Sequence, residues 1–291
     1  MRILFATDLE SDDVLALVYL IEYFIRNKIP FKNLMIITSL MNANLKKHIV
    51  QKILDYYQIT GKIVFSGRNG LEQEYSSEGK GIVDHVDKIE DESEEPMREF
   101  VKEEFDLIIL VNPFCLHKIY PMNANVRKIY IMGGHRNQLS GTMSGTSSIL
   151  WSFNWRIDIP STKEFFNWIA AKKIPTTLYS THMFTKEFGC YYNMETFPKV
   201  MKHILESEKE VMKIMIKTME NWDQHVMKDP RLAEAIGIHA GKQFTPADVV
   251  CVVGYFHPEI ELKKEPYEVF GTWITSVEAI NIPLINEYLL E

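Results

Sequence analysis

The chain has 291 residues, 46% of them apolar and 24% charged, which is the balance of an ordinary globular protein and excludes a disordered or collagen-like chain. A net charge of −7 removes the electrostatic reason to expect nucleic acid as a partner. Cys115, Cys190 and Cys251 are odd in number, far apart and set among apolar neighbours, so a disulfide framework is not expected and a reducing compartment is. With no basic leader and no apolar run long enough to span a bilayer, the expectation is a cytoplasmic, unprocessed protein with no membrane partner.

The first element is the most informative. Arg2 to Thr7 is a short, mostly apolar run that suits a strand buried on both faces. Asp8, Glu10, Ser11, Asp12 and Asp13 follow at once, and Val14, Leu17, Leu20, Ile21 and Phe24 then recur with helical spacing. Several carboxylates therefore meet where a strand hands over to a helix, the place where open α/β sheets bind ligands. Held that close they repel one another, and a hard divalent cation with oxygen ligands relieves the repulsion. The alternative is that Ser11 or Asp12 merely caps the helix while the other acids favour its positive end.

Strand-like and helix-like runs alternate from there. Leu34 to Leu40 reads as a strand, Leu45 to Tyr57 as a helix and Lys62 to Ser66 as a strand. The acidic stretch from Tyr75 to Glu95 reads as a solvated loop. Glu95 to Glu104 is expected to be helical, Leu107 to Val111 and Lys128 to Met132 extended, Thr162 to Ala171 helical, Thr176 to Ser180 extended, and Pro198 to about Trp222 one long helix. Thr245 is placed to cap a helix that carries Pro246 and Asp248 in its first turn, and Glu259 to Trp273 alternates like an antiparallel hairpin. The order predicts one domain over 1–291, a doubly wound, mostly parallel open sheet of the Rossmann-like kind with a C-terminal antiparallel edge.

The spacing Asp8-x-x-x-Asp12-Asp13 after a first strand resembles the metal-binding signature of the inosine-uridine preferring nucleoside hydrolases, Asp-x-Asp-x-x-x-Asp-Asp, with Ala6 in place of its first Asp. Ile37 to Leu45, Lys128 to Gly134, Phe153 to Asp158, Thr181-His182 and Asp248 to Pro258 match further segments in the family's order. A phosphatase of the haloacid dehalogenase type also opens with a strand and Asp-x-Asp, but it needs as nucleophile the Asp that Ala6 replaces.

The resemblance implies Ca²⁺ held by Asp8, Asp13, Asp248 and the backbone carbonyl of Val111. It gives Asp8 the role of general base, taking a proton from a water that the cation makes more acidic, while the ribose passes through an oxocarbenium-like state. Asp12, Asn154 and Asn42, with Asn44 as the alternative to Asn42, are implied as ribose contacts. The family's Glu and Asn at the 5′-hydroxyl correspond to Ser152 and Thr146 here. Losing a carboxylate there removes the group that would most repel a phosphate, and the Gly-, Ser- and Thr-rich loop of residues 135–148, with Arg136, offers hydroxyls and amides to one. The substrate implied is a nucleoside or a 5′-substituted ribosyl compound such as a nucleoside 5′-monophosphate. Ala247 stands where many family members place a leaving-group His, which leaves His239, Trp222 and His225 as candidates. By analogy the protein forms homo-oligomers. The losses at Ala6, Thr146, Ser152 and Ala247 keep a second class open, a metal-dependent nucleoside or nucleotide binder without turnover.

Overall fold

The computed structural model describes residues 1–40, 42–61, 63–66, 81–82, 94–134, 153–184, 192–226 and 244–291. Every residue of the first strand, β1 (Ile3–Thr7), is buried. Its side chains alternate between two cores: Ile3 and Phe5 join one apolar cluster, Leu4 and Ala6 the other. That period of two, on a strand with no solvent face, is why the run reads as continuously apolar.

β2 (Leu34–Thr38), β3 (Val64–Ser66), β4 (Phe105–Ile109), β5 (Val126–Gly133), β6 (Thr176–Ser180), β7 (Glu261–Val269) and β8 (Thr272–Ile280) complete an eight-stranded sheet in the order β3-β2-β1-β4-β5-β6-β8-β7. All neighbours are parallel except β7 with β8, so the expected antiparallel edge is present. From β1 the chain winds to one edge through β2 and β3, then crosses back to begin the other half at β4. The strand order reverses between β1 and β4, and in open α/β sheets ligands bind beyond the strands' carboxyl ends at such a point.

The helices are α1 (Ser11–Arg26), α2 (Ala43–Tyr56), α3 (Glu95–Lys102), the single turn α4 (Phe153–Arg156), α5 (Ile159–Lys172), α6 (Pro198–Leu205), α7 (Glu210–Val226), α8 (Ala247–Phe256) and α9 (Ile282–Leu290). α7 and α8 pack on α1, covering the face that Ile3 and Phe5 point to.

The structure corrects several boundaries. The long helix expected from Pro198 is two, because Ser207 turns its hydroxyl onto the Lys209 N–H (3.3 Å) and so competes with the helical bond. β4 stops at Ile109, ahead of Val111, and the hairpin continues past Trp273 to Ile280. α9 was not expected, although Asn281, accepting from Leu284 N–H at 3.2 Å, caps it and Pro283 sits in its first turn.

Candidate metal and ribosyl site

Between β1 and α1 the chain reverses in three residues, Asp8, Leu9 and Glu10. Leu9 does so at φ 56, a left-handed conformation that costs an ordinary residue of order 1–2 kcal/mol. Two things hold it there: its buried side chain, and its N–H, which donates to Thr7 Oγ1 at 2.9 Å. The same hydroxyl donates to Asp13 Oδ1 at 2.6 Å, while Glu10 N–H donates to Asp13 Oδ2 at 3.0 Å. The entry residue of α1 is Glu10, so neither Ser11 nor Asp12 caps the helix; Asp13 reaches back to do it. Leu40 and Asn42, in the next strand-to-helix turn, also have positive φ, 66 and 65. Strained backbone thus gathers at the carboxyl ends of adjacent strands.

Asp12 caps a different helix. Its Oδ2 accepts the N–H of Asp248, at 3.0 Å, in the first turn of α8. The entry residue of that helix is Pro246, which has no side-chain oxygen, so Asp12 takes the capping part expected of Thr245. This bond ties the amino-terminal acids to a segment 236 positions later. The ligand-capable oxygens of Asp12, Asp13 and Asp248 all lie within 4.8 Å of one another. Asp8, 1% exposed, lies close enough to Asp13 for the two carboxyls to influence each other.

Two oxygens in this cluster, Asp8 Oδ2 and Asp248 Oδ1, are fully buried without a hydrogen-bond partner. Such atoms are costly in a dry interior. Burial pushes the Asp12 carboxyl up to about 7 against the bond from Asp248 N–H, and Asp8 adds to the rise. It drives Asp13 and Asp248 well above the usual carboxylate range, helped by the neighbouring acids. Asp8 is raised too, again by burial, with the nearby Lys46 ammonium the main force pulling it back. Carboxylates with bare oxygens that resist ionising together are the donor set a hard dication satisfies, and the residues fit one.

The adjoining wall is built from β4 and β5. Val111 and Asn112 are wholly buried just beyond β4. Asn112 donates to the Asn154 carbonyl and accepts from Phe114 N–H at 2.8 Å, and Asn154 Nδ2 donates to the Leu110 carbonyl at 3.0 Å. Asn154 therefore spends a donor on the end of β4. Trp155 sets its position: Gly133 and Gly134 (φ +148 and +64) end β5 against the indole, and a Cβ on either would come within 2.2 or 2.8 Å of it.

The remaining expected residues are less gathered. Asn42 is exposed and its Oδ1 accepts from Leu45 N–H at 3.2 Å, so it caps α2; Asn44 is buried in that helix. Trp222 is half-buried near the end of α7, and the side chain of His225, one turn on, is not described. Thr146, Ser152, His239 and the loop 135–148 lie outside the described residues. Sequence reasoning missed Thr7, Asn112 and Lys46. Lys46 had a signal: it interrupts the apolar stripe of Ile49, Val50 and Ile53 on α2.

The comparisons with known proteins bear on the fold. No family model matches the sequence, and no curated protein matches it either. Among solved structures, the chain is similar to the type III effector protein XopQ, solved in complex with adenosine diphosphate ribose, at 12% identity and a TM-score of 0.70, covering 100% of this chain and 92% of that one. It is similar to an inosine-guanosine nucleoside hydrolase at 12% identity and a TM-score of 0.65, over 99% and 97% of the two chains. The inosine-uridine preferring nucleoside hydrolase from Bacillus anthracis gives 11%, 0.63, 99% and 98%. The fold is that of the nucleoside hydrolases, as the resemblance implied.

Proposed function

We propose that this protein hydrolyses the N-glycosidic bond of a ribonucleoside, or of a 5′-substituted ribonucleoside such as a nucleoside 5′-monophosphate, and that it does so with Ca²⁺. The observation that carries the proposal is the pair of buried, partnerless oxygens on Asp8 and Asp248 at the switch point of a nucleoside hydrolase fold. Asp8, Asp13 and Asp248 would hold the ion together with the Val111 carbonyl. Asp12, whose Oδ2 already accepts from α8, would meet the ion or the ribose hydroxyls through its other oxygen.

When bound, the ion supplies positive charge that offsets these acids and makes a nearby water more acidic. The chain does the rest. Asp8 takes the proton from the attacking water, and Asp13, locked by Thr7 and Glu10, keeps the α1 entrance in place. Asp12 and Asn154 orient the sugar so that its anomeric carbon meets the water. The family resemblance assigns Ser152 and Thr146 to the 5′ end of the substrate, and Asn42 is proposed as a ribose contact in addition to its capping role. His239, Trp222 and His225 are the groups to test for stacking on the departing base or protonating it. The XopQ complex, which holds a ribosyl compound extended at its 5′ end, supports the 5′-substituted class.

The protein is further proposed to act in the cytoplasm, as a homo-oligomer, on small molecules and not on nucleic acid. No described helix is long and apolar enough to cross a membrane.

Release of ribose or ribose 5-phosphate from inosine and inosine 5′-monophosphate, with Ca²⁺ and with chelator, tests the proposal. Calcium-dependent release that disappears in Asp8→Asn is expected. The second reading, a metal-dependent binder without turnover, draws on the donor that Asn154 gives to Leu110 instead of a ligand. Ligand binding without product release in Ca²⁺, equal in wild type and Asp8→Asn, would establish it and end the hydrolase proposal.

A further inference from the structure

Asn112 is wholly buried just past β4, where an amide side chain persists only if its groups find partners. Pro113 keeps it extended, at φ −56 and ψ 131, and its Oδ1 accepts the Phe114 N–H at 2.8 Å, an ordinary cap for the short turn Pro113–Leu116. A cap uses only the oxygen. The amide goes elsewhere: Nδ2 donates to the Asn154 carbonyl, 42 positions later, and reaches Thr162 Oγ1 on α5 at 3.4 Å. Asn154 answers in kind, its Nδ2 donating to the Leu110 carbonyl at 3.0 Å. The two asparagines therefore form a clasp, each side chain holding main chain beside the other. It closes on the stretch that carries the Val111 carbonyl. Ahead of Val111, Leu110 is held twice, its N–H donating to the Ala6 carbonyl at 2.9 Å and its own carbonyl taking the Asn154 amide. Behind Val111, Asn112 is held by its side chain. Ala6 stands two residues before Asp8, so the bond that anchors Leu110 also ties the end of β4 to the turn that bears the acids.

We propose that Asn112 is a positioning residue of the ion site: acting through Asn154 and Leu110, it fixes the Val111 carbonyl relative to the β1 turn and so sets how tightly a dication is held. A main-chain ligand gains nothing from its own side chain, and its direction comes from the groups that hold its neighbours, as outer hydrogen bonds orient ligating side chains. This role rests on the metal site proposed above and concerns a residue that the proposal leaves unassigned. It also gives the bond from Asn154 to Leu110 a use within the hydrolase reading.

Calorimetric titration of Ca²⁺ into the full-length, chelator-treated protein tests the clasp in wild type, Asn112→Ser, Asn154→Ala and the double variant. Asn281→Ala, which loses only the α9 cap, controls for general destabilisation. Serine can still accept the Phe114 N–H but is too short to reach Asn154. Asn154 is not among the proposed ligands of the ion, so its loss bears on affinity only through the clasp. Each single substitution is expected to raise Kd by about tenfold to a hundredfold, the range for groups that orient metal ligands. The double variant should bind no more weakly than the weaker single, because the same clasp is broken either way. Asn281→Ala stays within about threefold of wild type. Should Asn112→Ser fail to fold by circular dichroism, Asn154→Ala decides alone. Wild-type affinity in the single variants, effects that multiply in the double variant, or an equal loss in Asn281→Ala overturns the role of Asn112 and leaves the metal site standing. No uptake of Ca²⁺ by the wild type overturns the metal site, and the clasp with it.

Discussion

The sheet buries aspartates at both ends, and the chain treats the two ends oppositely. At the amino end of β4, Asp106 is fully buried, yet Arg127 grips both of its oxygens, with Nε at 2.7 Å, and Tyr255 Oη donates to Oδ2 at 2.6 Å. At the carboxyl ends, Asp8 and Asp248 keep buried oxygens with no partner, in turns where Leu9, Leu40 and Asn42 hold strained backbone. The first arrangement is a closed account of donors and acceptors that stabilises the fold. The second is left open, and an open set of acids is useful only to something that arrives from outside.

Breaking that contrast gives measurable differences. The largest effect is expected from Asp8→Asn, which keeps the size of the side chain and removes its basicity: kcat for ribosyl release should fall by about 10²–10⁴, the range of a lost general base. Steady-state kinetics with saturating Ca²⁺ check it, and an unchanged kcat would remove Asp8 from the chemistry.

Next in size is the pH dependence of the metal-free protein. A carboxyl whose pKa rises on folding binds its proton more tightly folded than unfolded, so its contribution is complete below the ordinary value of 3.8 and is lost as pH rises through the raised value, about 7 for Asp12. Asp8, Asp13 and Asp248 shift in the same direction. Melting in chelator should therefore drop by roughly 5 °C or more between weakly acidic and weakly alkaline pH, and Ca²⁺ should restore it at the alkaline end. A flat profile would mean that the acids are compensated without an ion.

Two substitutions then sharpen the comparison through opposite signs. Asp106→Asn should destabilise by about 2 kcal/mol, the worth of charge-assisted hydrogen bonds whose arginine partner can still reach water, and should leave Ca²⁺ affinity alone. Asp248→Asn, which removes a buried carboxyl that must either ionise unpaired or hold a proton, should raise the melting temperature in chelator at alkaline pH and abolish calcium binding. Denaturant melts with and without Ca²⁺ separate the two, and destabilisation of both metal-free variants alike would erase the distinction. The smallest effect is reserved for Asn42→Ala: loss of the α2 cap should cost about 1 kcal/mol. If KM for the ribosyl substrate rises as well, Asn42 contacts the sugar in addition to capping; an unchanged KM limits it to the cap.

Most of the fold was legible because it follows from runs of buried β-branched and apolar residues such as Leu34 to Thr38, whose length and periodicity need no tertiary information. The clustering of acids after β1 was legible from the sequence itself, whereas the approach of Asp248 to them followed only from the family resemblance, since an Asp in a first helical turn is by itself explained by the helix dipole. What failed depended on contacts between distant segments. That Asp12 would cap α8 in place of Thr245 cannot be read from either segment alone. The break at Ser207 turns on one hydroxyl choosing a local N–H over the solvent, a difference too small to register in helical periodicity. Lys46 was passed over because a lysine on a helix is ordinarily a surface residue, although its place in the stripe of Ile49, Val50 and Ile53 pointed inward.

The bond from Asp248 N–H to Asp12 also orders events in time. During synthesis the first turn of α1 leaves the ribosome long before the segment that must dock on it, so the amino-terminal acids wait through most of translation without the residue that completes their cluster. On the proposed metal site, a nascent chain would have little hold on a dication, and capture of an ion would mark the moment when the two remote segments have joined.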